Sequence, residues 1–188
     1  DNRNKYNTDD ATAGHGWMHK ALVEARLKRG NGMMKSLLKM MTGTSYYSSM
    51  MTDHDTNRRN NTYCTDTAFG TIAAVNEALV FSNTGEIEII PALPKDWTKG
   101  RVKGLMARTR VEISDLTWDI DNLYAAAELT SLSDGNLIRL SCGKSWISAT
   151  ADGAVLEIKE DENGRYAEIT LNKGKPVRVE FTLSDITG

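Results

Sequence analysis

The sequence predicts an α+β protein, a helical first part followed by an antiparallel β-sandwich. Three observations carry this. Apolar residues recur at helical spacing over roughly the first 84 positions. After Gly85 the period falls to two. Turn signals then separate a series of short strands. The expected domains are therefore residues 1–84 and residues 85–188.

Residues 14–29, GHGWMHKALVEARLKR, place Trp17, Ala21, Leu22 and Ala25 on neighbouring faces of a helix. Gly30 is the expected C′ residue, because glycine takes the left-handed conformation that ends helices. The following NGMMKSLLKMM repeats apolar pairs: Met33/Met34, Leu37/Leu38 and Met40/Met41. That pattern predicts a second helix, joined to the first as a hairpin near Gly30-Asn31-Gly32. The methionines suit a core better than an adaptable binding surface.

Residues 42–66 have no clean period and are rich in Thr, Ser, Asn and Asp. A loop of this length in a compact domain is more often functional or disordered than idle. A third helix is expected over residues 67–82, with Ala68, Phe69, Ile72, Ala73, Ala74, Val75, Ala78, Leu79 and Val80. It is apolar nearly all round, so it must be covered nearly all round. Three helices alone can hardly provide that cover, which points to helical partners beyond them.

The strands follow. EIEII is ended by PALP, whose prolines break a ladder. TRVEISDLTW alternates through Val111, Ile113, Leu116 and Trp118. AVLEIK and RYAEITL flank EDENG, and Asn163-Gly164 is a strong hairpin signal. PVRVEFTL puts Val177, Val179, Phe181 and Leu183 on one face. Ser133-Asp134-Gly135 and Asp152-Gly153 mark further turns.

Composition narrows the function. A net charge of −2 supplies no concentrated basic face, so nucleic acid is a poor partner. No apolar stretch approaches the ~20 residues of a membrane span. The polar start DNRNKYNTDD is unlike a secretory signal. Cys64 and Cys142 lie far apart with no CxxC, which disfavours a zinc ribbon or redox pair. Two buried free thiols are expected, and the compartment stays open. P-loop, Rossmann and Gly-x-Ser-x-Gly signatures are absent.

Several residues carry chemistry. His15 and His19 stand four apart, as in a metal-binding helix, yet Gly16 occupies the place of the glutamate that the zincin motif requires. No metal or other cofactor is expected. Trp17 and His19 together offer a stacking face and a hydrogen bond to a sugar; the plainer alternative makes Trp17 core and His19 its polar neighbour. Asp53, His54 and Asp55, followed by Arg58, Arg59, Asn60 and Asn61, are either a solvated loop held by Asx turns or a sugar-binding rim. His54 and Asn61 are the candidate contacts there. Asp66 is placed to be the N-cap of the third helix. Hydrogen bonds from the helix start would also keep it ionised, which suits a base or a group that polarises one.

Three stretches in this order, GHGWMHKALVEARLKRGN, TDTAFGTIAAVNEAL and GEIEIIPALPKDWTKGRVKGLMARTRVEISDLTWD, resemble the C-terminal part of glycoside hydrolase family 95. That is the family of inverting α-L-fucosidases, with some α-L-galactosidases. The resemblance covers roughly residues 14–120.

The resemblance implies the last helices of an (α/α)6 catalytic barrel followed by a C-terminal β domain. It also implies a glutamate general acid and asparagines that activate water with help from an aspartate. The family's Asp-Gly-Asn-Phe-Gly-like motif falls on Asp66-Thr67-Ala68-Phe69-Gly70, with Asp, Phe and Gly matched and Thr67 and Ala68 departing. Asp66 is thus the candidate catalytic residue. The glutamate and asparagines match nothing here. An inverting site needs groups on both faces of the sugar, about 6.5–9.5 Å apart.

The expected function is the C-terminal segment of an inverting exo-glycosidase, most plausibly an α-L-fucosidase, inactive by itself. Its expected partners are a fucosylated or related oligosaccharide and the upstream part of the same enzyme. Two alternatives stand beside it: a non-catalytic carbohydrate-binding or structural β module with a helical adaptor, and a family 95-like α-L-galactosidase.

Overall fold

The computed structural model describes residues 13–42, 46–49, 51–54 and 62–184. They form two compact units. One holds the helices and Ala92–Pro94; the other takes in Leu79–Pro91 and the chain from Lys95 onward. The division at Ala78/Leu79 falls a few residues before the expected one, because strand pairing already begins at Val80.

The helical unit contains α1 (Gly14–Arg26), α2 (Gly30–Thr42) and α3 (Thr65–Leu79). Helix α1 does not end at Gly30. Lys28 takes the left-handed turn at φ 59°, with Lys28 N–H donating to Ala25 O and Arg29 N–H to Glu24 O. These are the two bonds of a Schellman motif. Gly30 instead opens α2, and its missing side chain serves a close approach. A Cβ there would lie 2.3 Å from Ala92 O.

Met33, Leu37 and Met40 are buried on α2, while Leu38 and Met41 remain exposed. The core of the unit joins them to Trp17, Met18, Ala21 and Ala25 of α1 and to Ala74 and Ala78 of α3. Among its described residues helix α3 buries Thr67, Thr71, Ala74, Ala78 and Leu79. Phe69 is 70% exposed and Ile72 62% exposed, so one apolar side of the helix has no cover among the described residues.

The described residues of the second unit form twelve strands in two sheets. The smaller sheet has the order β1 (Val80–Asn83), β2 (Glu86–Ile89), β7 (Asn136–Cys142), β11 (Gly164–Leu171), β10 (Lys159–Asp161). The larger has β3 (Lys99–Val102), β5 (Val111–Asp119), β6 (Tyr124–Ser131), β12 (Pro176–Leu183), β8 (Trp146–Ala151) and β9 (Ala154–Val155), with β4 (Leu105–Ala107) also paired to β5. AVLEIK is split between β9 and β10 rather than forming one strand.

Alternate residues of both sheets are buried: Ile87, Ile89, Ile138 and Leu140 in one, Ile113, Leu116, Val179 and Phe181 in the other. This is the inward-facing pattern of a sandwich. The pairing is antiparallel except between β2 and β7, which run parallel, with Glu86 opposite Arg139 and Ile89 opposite Cys142. The expectation of a purely antiparallel sandwich is corrected there. After β2 the chain leaves through Pro91 to Pro94 and enters the larger sheet, so β2 finds its neighbour far along the sequence. Both cysteines are buried free thiols.

Candidate functional site

Helices α1 and α3 lie side by side and run in the same direction. Three contacts in register show it. A Cβ on Gly14 would meet the Thr67 hydroxyl at 2.6 Å, and one on Gly70 would meet Met18 Cγ at 2.3 Å. Farther along, Arg26 clasps Glu77, with Nη2 donating to Oε1 at 2.9 Å and Nε at 2.7 Å from Oε2. Ala21 and Ala25 of α1 and Ala74 and Ala78 of α3 are buried in the same core cluster. Both N-termini therefore come to one end of the pair. The positive ends of two helix dipoles meet there.

Two loop segments tie that end together. Gly14 N–H donates to His54 O, and His54 N–H donates to Thr62 O, both at 2.7 Å. Asp53 pairs antiparallel with Tyr63, and Tyr46 with Thr52. Cys64 N–H donates to Thr52 O at 3.1 Å, and the Thr52 hydroxyl donates back to Cys64 O. Thr67 Oγ1 donates to Cys64 Sγ at 3.1 Å. The buried Asp53 carboxylate accepts from the Tyr47 hydroxyl at 3.0 Å.

The chain's three histidines converge on this end. His15 and His54 have ring centroids 4.9 Å apart, and His15 and His19 6.1 Å apart. His19 is exposed, and His15 and His54 are half-buried. Among the described residues, no group of three His, Cys, Asp or Glu is arranged to hold a metal ion. The spacing of His15 and His19 was the only sequence signal for this cluster. That a loop histidine joins them could not be read from spacing.

Asp66 is exposed at the same end, in the first turn of α3. It is not the N-cap. The helix begins at Thr65, and no hydrogen bond to its carboxylate is present among the described residues. The helix starts one residue earlier than Asp66, so the carboxylate falls inside the first turn rather than ahead of it. The carboxylate is left to face outward, near the positive end of the helix.

Trp17 is also corrected. It is 2% exposed and lies within the helical core, with Lys20 Nζ 5.1 Å from the ring centroid. Packing against its helical neighbours takes the faces that a sugar would need. Its indole N–H has no acceptor among the described residues. Asn61 lies outside the described residues, as do Asp55, Arg58, Arg59 and Asn60. His19 and His54 thus each lie beside His15, Asp66 is exposed in the first turn of α3, and Trp17 is removed from the surface.

Comparison with known proteins gives the setting. Residues 81–179 match the glycoside hydrolase family 95, C-terminal domain. Alpha-L-fucosidase 2 of Arabidopsis thaliana is 42% identical over 78 residues, 41% of this chain and 8% of that protein's length. A GH127 β-L-arabinofuranosidase from Geobacillus stearothermophilus T6 is 12% identical at a TM-score of 0.43, over 91% of this chain and 30% of that one. A second GH127 β-arabinofuranosidase is 10% identical at a TM-score of 0.38, over 93% of this chain and 34% of that one. Likenesses this loose place no residue. The family match runs from β1 into β12 and takes in just over half of the sequence; the chain belongs to glycoside hydrolase family 95.

Proposed function

We propose that this chain is the C-terminal segment of an inverting α-L-fucosidase, in which Asp66 assists the group that activates water. The observation that carries the reading is the placement of Asp66 in a member of this family. It stands exposed in the first turn of α3, at the end of the helix pair where His15, His19 and His54 gather.

Chemistry at that end follows from the parts. A carboxylate polarises a hydrogen-bond donor beside it. An asparagine side chain so polarised accepts a proton from water more readily. The imidazoles of His19 and His54 supply donors and acceptors for sugar hydroxyls. The second catalytic group of an inverting reaction sits across the sugar and must come from upstream sequence. The uncovered side of α3, with Phe69 and Ile72, fits packing against further barrel helices of the same enzyme.

The test is reconstitution. Coexpression with the upstream segment is expected to give turnover of an aryl α-L-fucoside. Asp66→Ala is expected to abolish that turnover while circular dichroism and Tm stay as in the parent. Normal turnover by the Asp66→Ala enzyme would overturn the role of Asp66. Activity on an aryl α-L-galactoside in place of the fucoside would reassign the sugar.

A further inference from the structure

We propose that the Tyr46 hydroxyl positions the Asp66 carboxylate. The inference rests on the role given to Asp66 above. Tyr46 packs its half-buried ring against the helical core. Its hydroxyl reaches the start of α3, where it donates to the Thr67 carbonyl oxygen at 3.2 Å and is hydrogen-bonded to the Thr71 hydroxyl. Thr71 Oγ1 lies 2.8 Å from the same carbonyl. Two hydroxyl protons serve this triangle, with the carbonyl as acceptor.

Thr67 immediately follows Asp66. On the other side, two residues before it, Cys64 is held by Thr52 through a reciprocal pair of hydrogen bonds. Tyr46 and Thr52 are themselves paired across one bridge. The backbone around Asp66 is therefore gripped before and after by a single loop segment. The carboxylate has no side-chain partner among the described residues, so the position of that backbone sets the region its rotamers can reach. Of the two grips, Tyr46 is the one that a single atom change can release, since phenylalanine keeps the ring.

The experiment uses the full-length enzyme that carries this segment. Tyr46→Phe is expected to lower kcat about ten- to a hundredfold, as a small misplacement of a catalytic group does. KM and Tm should stay near those of the parent. The same change should add nothing to the residual single-turnover rate of Asp66→Asn, because a group acting only through the carboxylate then has nothing to act on. Thr71→Val removes a second contact of the same hydroxyl but leaves its donation to the Thr67 carbonyl, so its kcat loss should be smaller than that of Tyr46→Phe. Parent-like kcat for Tyr46→Phe, or an undiminished loss on top of Asp66→Asn, overturns the proposal alone. Full turnover by Asp66→Asn overturns the role of Asp66, and the proposal with it.

Discussion

Gly14 and Thr67 fit against each other only because one of them has no side chain. A Cβ on Gly14 would lie 2.6 Å from the Thr67 hydroxyl oxygen and 3.0 Å from the Asp53 carbonyl oxygen. Gly14→Ala is expected to destabilise the helical unit by about 1–3 kcal/mol, the usual cost of overpacking. Thr67→Ala removes the nearer obstacle, so the same change should cost less in that background, though not nothing. Thermal unfolding of the four proteins measures the difference; equal costs in both backgrounds would show that the contact does not limit the approach.

Gly143 makes a tighter approach in the β unit. A Cβ there would sit 2.3 Å from Pro91 Cα and 2.5 Å from Ile90 O. Ile90 already holds φ at 48°, an uncommon conformation for a β-branched residue. Neither backbone neighbour is the flexible end of a side chain. Gly143→Ala should therefore cost about 3 kcal/mol or more, seen as a lower midpoint in urea or a loss of soluble protein.

The thiol of Cys142 is pushed up to about 12 by burial. The thiolate is the reactive form, so alkylation at pH ~8 should leave Cys142 unmodified in the folded chain. In denaturant it should be fully modified. Mass spectrometry of the peptide containing Cys142 reads both states, and labelling of the native chain would mean that the β unit opens readily.

Asp161 is held at about 2, chiefly by hydrogen bonds from the Arg139 guanidinium. Arg139 Nη2 donates to Asp161 Oδ1 at 2.8 Å, and the guanidinium stacks 3.6 Å above the Tyr166 ring centroid. A lowered folded-state value means that the pair stabilises above the unfolded value near ~4 and ceases to do so as pH falls towards the folded one. The Tm gap between parent and Asp161→Asn should be open at neutral pH and close between pH ~4 and ~2. Because the pair is exposed, added salt should narrow the gap. A gap that is constant with pH would assign the effect to something other than the carboxylate's charge.

Phe69 and Ile72 should make the isolated chain bind a dye for exposed apolar surface. Changing both to serine should reduce that binding without lowering Tm, since neither side chain is packed. Unchanged dye binding would place the sticky surface elsewhere.

The legible parts of the fold were those where side chains differ sharply between faces. Val179, Phe181 and Leu183 alternate with polar residues and are buried as expected. The pairs of methionine and leucine in α2 announced a helix, and the exposure of Phe69 and Ile72 follows from the all-round apolar character of α3. Strand β6 was not legible. Its run Ala125, Ala126, Ala127 is buried throughout, and alanine carries too little contrast to show a period of two. Nor was the parallel pairing of β2 with β7, because partner choice at long range leaves no local mark.

In the candidate site, residue type was legible and direction was not. Asp66 was identified with the start of α3, but the helix begins one residue earlier, at Thr65, a boundary that no periodic signature marks. Trp17 was read from its chemistry, whereas its place on the helix decided its burial. His54 reached its partners through backbone bonds from Gly14 and to Thr62 that no spacing rule contains.

The parallel register of β2 on β7 also orders events in time. Glu86–Ile89 can pair at once with Val80–Asn83 but must wait for Asn136–Cys142 to be made. On a ribosome delivering about 5–20 residues each second, that wait is several seconds. During it one side of β2 offers unsatisfied amides and carbonyls to any passing strand, so the newborn chain is most exposed to misassembly before β7 arrives.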